Sequence, residues 1–183
     1  MQKESNIAHG IKWGIIIGAV YCIMLFLRYS AGDTNPIMLA VWSFVGYAVV
    51  IGLLSYSGFD LRKKSGGYID LKEAFKILFL SVLIFELFYT IFNFIYLKYI
   101  DPQFFETLKS ATRVLLEQTD QSQDKIDEML SKMDTDAASN QNIGNTMKSY
   151  LFSIMMSGIC ALIIALIIRK NKPAFPNGGE GFA

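Results

Sequence analysis

The chain has 183 residues, the size of one domain, and a formal net charge of +1. A near-neutral balance excludes a nucleic-acid binder, which shows a basic face. Fifty-two per cent of the residues are hydrophobic, and they are gathered into four long blocks with the charged residues crowded between them, a pattern that excludes an ordinary soluble domain.

A helix that crosses a bilayer needs about 20 mostly apolar residues to bridge a core roughly 30 Å thick. Four blocks meet or approach that length, at 11–27, 37–59, 77–97 and 150–168. In lipid an unpaired strand leaves its backbone groups unsatisfied, so each block is expected to be a helix. The first block is longer than a usual signal core and is followed directly by Arg28, which argues against cleavage. Pro36 suits the first turn of the second helix, where its missing N–H costs nothing. Trp13, Tyr29, Tyr96, Tyr99 and Tyr150 lie near the block edges, where amphipathic rings prefer the membrane interface.

The loop between the second and third blocks carries Arg62, Lys63, Lys64, Lys72 and Lys76. Lys3 and Lys12 precede the first block, and Arg169, Lys170 and Lys172 follow the last. The first connection has no lysine or arginine, so the basic-loop rule places both termini on the cytoplasmic side. Arg62-Lys63-Lys64 reads as a topology signal in contact with anionic head groups. Gly66-Gly67 makes a turn, Asp70 caps the next helix, and Glu73 completes a capping-box pair.

The third connection, 98–148, holds nine acids between Asp101 and Asp136, a composition suited to an extracytoplasmic segment. Asp101-Pro102 interrupts the third helix or starts a new one. Phe105, Leu108, Leu115 and Leu116, then Ile126, Met129, Leu130 and Met133, recur at helical spacing. Two amphipathic helices follow, about 103–118 and 121–134, the second opened by Asp120 with Gln123. Short helices need a buried face, so they are expected to cover each other, with the membrane surface, a second copy or a partner as the alternatives. The stretch 134–145 reads as a loose linker, and the tail 173–183, with Gly178-Gly179 and two prolines, as disordered.

Certain residues within the spans demand an account. Gly10, Gly14 and Gly18 line one face of the first helix, and Ser153, Ser157, Ala161 and Ala165 line one face of the last. Small residues at this interval let helices approach closely, so these two faces are expected to pack together, with dimerisation through the glycine face as the competitor. Glu86 is the acidic residue near the middle of a span. Burying a charge there costs about 2.5–3.5 kcal/mol, and each Leu, Ile, Phe or Val offsets roughly 0.3–0.6 kcal/mol. More than a dozen such residues surround it, so the span still inserts. Thr90 and Asn93 follow on the same face, and the stripe Glu86, Thr90, Asn93 is expected to point into the bundle. Mid-depth partners are Tyr21, Tyr47 or Ser157.

Chemistry-bearing constellations are scarce. Cys22 and Cys160 lie inside blocks and read as small apolar packing residues. The single histidine, His9, cannot supply a metal cluster, and a histidine-based triad is not expected. Neither a nucleophile–base pair nor a metal-ligand set is legible, so no enzyme, cofactor or metal is expected.

Gly66-Gly67-Tyr68-Ile69-Asp70-Leu71-Lys72-Glu73-Ala74-Phe75, the aromatic span after it and Asp101-Pro102 resemble a family of uncharacterised four-span bacterial membrane proteins of unknown function. The resemblance covers nearly the whole chain and implies a bacterial inner membrane, but brings no activity or functional residue. The expected fold is an all-α membrane protein, four transmembrane helices with an extracytoplasmic amphipathic helical segment between the third and fourth. Its expected partners are the lipid bilayer and, through the outer helices, a second copy or another protein. A non-enzymatic interaction protein is the favoured role; a small oligomeric transporter or channel built on Glu86 and Asn93 is the alternative.

Overall fold

A computed structural model of the chain describes residues 2–30, 35–119, 122–140 and 142–171. The expected tail at 173–183 and the helix-opening Asp120 lie outside the described residues. The described chain is helical: α1 (Gln2–Ser30), α2 (Pro36–Lys64), α3 (Leu71–Ile95), α4 (Phe104–Glu117), α5 (Gln123–Asn140) and α6 (Ile143–Ile168). Four segments, Asn6–Ser30, Pro36–Lys64, Leu71–Ile100 and Ile143–Ile168, are long and apolar enough to cross a membrane. The protein is an all-α membrane protein with four spanning helices.

Each helix outruns its apolar block, because the backbone ladder continues wherever polar ends find partners. The Asn35 side chain accepts the Ile37 N–H, with Pro36 in the first turn of α2 as expected. Gly66 and Gly67 take φ of +76° and +83°, which a side chain would resist, and Arg62 Nε donates to the Gly67 carbonyl to hold the turn. Asp70 caps α3 by accepting the Glu73 N–H at 2.6 Å. Only half of the expected capping box forms, since Glu73 Oε1 instead accepts from Asn6 Nδ2 at 2.6 Å and ties α1 to α3.

The start of α1, the 65–70 turn and the end of α6 therefore share one end of the bundle. There Ile69 and Lys170 exchange backbone hydrogen bonds at 2.9 Å in both directions. At the opposite end α3 winds into a wider π-helical turn, Tyr96–Ile100, before Asp101-Pro102 breaks it. Of the two expected roles, this dipeptide interrupts. The helices α4 and α5 then fold back as an antiparallel hairpin, with Ile126 and Leu130 buried and Lys109–Asp134 and Arg113–Asp127 bridging its two arms. The loose linker expected at 134–145 is absent: α5 continues to Asn140, and Asn142 caps α6 by accepting the Gly144 N–H. Alanines at 137 and 138 favour helix there, and propensity prevails over polarity.

The expectation that the glycine face of α1 meets the small face of α6 is corrected. The ring order is α1, α3, α6, α2, so α1 and α6 lie diagonally and α3 separates them. Gly10, Gly14 and Gly18 instead receive the α3 ridge Ile77, Ser81, Ile84, Phe88. A Cβ at Gly14 would stand 2.7 Å from Ile84 Cβ and 2.9 Å from the Ser81 carbonyl. The sequence interval identified a close-packed face but held no information about which helix fills it. On α6, Gly158 lies against Phe79 of α3, while Ala161 and Ala165 are wholly buried.

Gly14→Leu is expected to cost about 1–3 kcal/mol or more by overpacking this seam, lowering the thermal unfolding midpoint in detergent. Gly52→Leu, at a position where a Cβ meets nothing within 4 Å, is the control and should leave that midpoint unchanged. Equal midpoints for both variants would remove the α1–α3 seam.

Candidate functional site

The apolar spans leave few polar groups inside the bundle, and several are held by a partner on another helix, because an unpaired group in lipid is costly. Glu86 is 2 % exposed, and Ser157 of α6 donates to its Oε1. Of its expected partners Ser157 is thus the one that bonds; Tyr21 is buried among Tyr47, Phe85 and Tyr89. Asn93 lies further along the same helix, where its Oδ1 accepts the Tyr29 hydroxyl of α1 at 2.8 Å.

The expected stripe is consequently divided. Glu86 lines a cavity of about 240 Å³ between α2, α3 and α6, with Tyr47, Phe85, Phe152, Ser153, Ser157 and Cys160 among its walls. Thr90 and Asn93 line a separate cavity of about 80 Å³ with Tyr89, Ser149, Tyr150 and Ser153. Ser153 belongs to both. The residues of the small α6 face thus differ in use: Ser153 and Ser157 line cavities, Ala161 and Ala165 are packing residues.

Two of the aromatic residues expected near membrane interfaces, Tyr29 and Tyr96, pack against each other and the hairpin. Tyr29 stacks on Tyr96 with ring centroids 4.3 Å apart, and Phe104 meets Tyr29 edge-on at 5.1 Å. Trp13 meets Tyr56 edge-on at 5.4 Å. Both cysteines are free; Cys160 lines the Glu86 cavity and Cys22 Sγ lies 3.8 Å from the Phe88 carbonyl oxygen.

A constellation that the sequence reading dismissed also comes together. His9 Nε2 stands 3.1 Å from the Ser57 carbonyl oxygen and 3.3 Å from its hydroxyl, and Nδ1 stands 3.8 Å from Asp60 Oδ2. Serine, histidine and aspartate do therefore meet, contrary to expectation. Ser57 and Asp60 are one helical turn apart on α2, and only packing against α1 brings His9 to them. Ser57 is wholly buried, and the contacts of His9 with Ser57 and Asp60 join α1 to α2. Among the described residues, no group of three or more His, Cys, Asp or Glu side chains is arranged to hold a metal ion.

Tyr29→Phe removes the hydroxyl that Asn93 accepts. Interhelical hydrogen bonds in membranes average about 0.6 kcal/mol, so a loss of about that size in unfolding free energy is expected, measured in mixed micelles. Loss of several kcal/mol would show that the contact has a larger part in the fold.

Residues 12–170 match the family described as a protein of unknown function, DUF4199. Curated proteins and solved structures yield no match to the chain. With most of its length matched, this chain belongs to the DUF4199 family of proteins of unknown function.

Proposed function

We propose that the chain is a non-enzymatic interaction protein of a bacterial inner membrane, with both termini cytoplasmic and the α4–α5 hairpin presented outside as the partner-facing element. The observation that carries this reading is the hairpin's attachment. Phe104 is buried with Leu39, Tyr96 and Leu97, and Phe105 and Leu108 pack against the same cluster, so the hairpin sits on the bundle as a built platform. Its arms are closed on each other by Ile126 and Leu130. Val114 and Met129 remain half exposed on the hairpin, apolar surface for a partner to cover.

The orientation is supported by charge. Arg62, Lys63, Lys64, Arg169 and Lys170 gather at the end that holds the start of α1 and the end of α6, and basic residues favour the cytoplasmic side. The bacterial setting rests on the resemblance carried by the 66–75 segment. The transporter alternative is weaker, because Glu86 and Asn93, the residues it would unite, line different cavities.

Photocrosslinkers placed at Val114 and at Met129 in intact cells should each yield one discrete adduct, either a second copy or another protein. A normally expressed chain that gives no adduct at either position would overturn the reading. A reporter fused after Lys172 should remain cytoplasmic, and its appearance outside would overturn the orientation.

A further inference from the structure

We infer that the Glu86 cavity is a binding site for a small hydrophobic amine, its ammonium paired with the Glu86 carboxylate and its organic part held by the apolar walls. The inference is independent of the hairpin's role and claims no transport.

The geometry starts at the terminal end, where α2 and α6 close on each other. A Cβ at Gly58 would stand 2.9 Å from Ile168 Cδ1, and Ile164 adds to the same contact. Toward the hairpin the two helices part, and the space between them is the cavity of about 240 Å³. Its floor is buried: Leu54 from α2, and Val82, Phe85 and Glu86 from α3. Its rim is open: Tyr47 and Ile51 on α2, Phe152 and Met156 on α6, with Phe152 64 % exposed. Those rim residues belong to spanning segments, so the mouth faces sideways into the lipid.

A carboxylate at the base of such a cleft needs either a proton or a cation, because burying an isolated charge is expensive. Among the described residues no lysine, arginine or histidine forms an ion pair with Glu86. Ser157 supplies one hydrogen bond, to Oε1, while an ionised carboxylate has about four acceptor positions. The vacant acceptor capacity suits an N⁺–H donor.

Wall chemistry selects the class of cation. Calcium takes six to eight oxygen ligands and magnesium a near-octahedral set. Here most of the lining is carbon, with hydroxyls from Tyr47, Ser153 and Ser157 beside the one carboxylate. Aromatic rings at Tyr47, Phe85 and Phe152 favour an organic cation, by apolar contact and by attraction of positive charge to a ring face. The volume selects the size. Pockets for drug-sized ligands begin at about 300 Å³, so a single-ring amine fits better than a polycyclic one.

The test uses the full chain in lipid nanodiscs, titrated by calorimetry with phenethylamine and with its neutral isostere 2-phenylethanol. The amine should bind one per chain and at least about tenfold more tightly than the alcohol, the range expected for a hydrogen bond to a charged group. Glu86→Gln should abolish that preference, and Ser157→Ala, which keeps the carboxylate, should retain it. Should Glu86→Gln fail to fold, Cys160 decides the matter: in a Cys22→Ser background, phenethylamine should slow alkylation of Cys160 by a membrane-permeant maleimide, and the alcohol should not. Equal binding of amine and alcohol, an unchanged preference in Glu86→Gln, or alkylation of Cys160 indifferent to the amine would each overturn the inference.

Discussion

The bundle depends on the approach of α1 to α3. In lipid no hydrophobic drive pulls one apolar helix to another, since the acyl chains are as apolar as leucine, so close dispersion contact must do that work. Gly10, Gly14 and Gly18 remove the side chains that would hold the backbones apart, and all three are buried against one ridge of α3. The approach is close enough for Ser81 Oγ to donate to the Gly10 carbonyl at 2.9 Å. With one side of α3 committed to α1, its other side is left for α6, and the Glu86 carboxyl is carried there. The position of the acid thus follows from the position of the glycines.

Polar groups inside the spans are distributed along the bundle as fasteners between helices. At the terminal end Asn6 reaches Glu73, and His9 lies against Ser57 and Asp60. Ser81 meets α1 at the next level, Glu86 meets Ser157 near the middle, and Asn93 meets Tyr29 toward the hairpin. Arg28 Nη1 donates to Ser43 on α2, while the guanidinium lies 5.5 Å from the Tyr29 ring centroid. These contacts join α1 to α2, α1 to α3 and α3 to α6. Apolar packing alone tolerates sliding; a hydrogen bond in a medium without water does not, so each contact fixes register where it stands.

Much of this was legible in the residues and some was not, for physical reasons. Hydropathy measures what the solvent must be, so four spanning helices could be read directly, and Pro36, Gly66-Gly67 and Asp70 marked their ends through local backbone chemistry. Pairing between helices is a different kind of information. A four-residue interval of small side chains says that something packs closely, and Gly14 would look the same whether α3 or α6 filled it. The His9–Ser57–Asp60 cluster was missed because its members are 48 and 51 residues apart and meet only once α1 and α2 are side by side. Residue type places Tyr29 and Tyr96 near an interface, but their stacking on each other and under Phe104 depends on the hairpin folding over that end of the bundle. For Glu86, burial followed from depth alone, and Ser157 stood among its three expected partners because depth restricts the choice.

The hairpin joins the membrane helices through a local departure from α-helical winding. An α-helical continuation of α3 would turn each new residue by the same angle. The π-helical turn at Tyr96–Ile100 takes in an extra residue, so each residue there turns through a smaller angle, and the Asp101 N–H donates to the Tyr96 carbonyl at 2.9 Å across it. The result places Tyr96 and Leu97 inward together, beneath Phe104, while Tyr99 and Ile100 remain outside. Tyr96 stacks on Tyr29, and Tyr29 bonds to Asn93, so the ring cluster supporting the hairpin is also bonded to the polar seam of α3. From the other arm, α5 passes into α6 across a two-residue connection, and α6 carries Ser153 and Ser157. Hairpin and cavity are therefore parts of one continuous assembly, held at one side by aromatic packing and at the other by the chain itself.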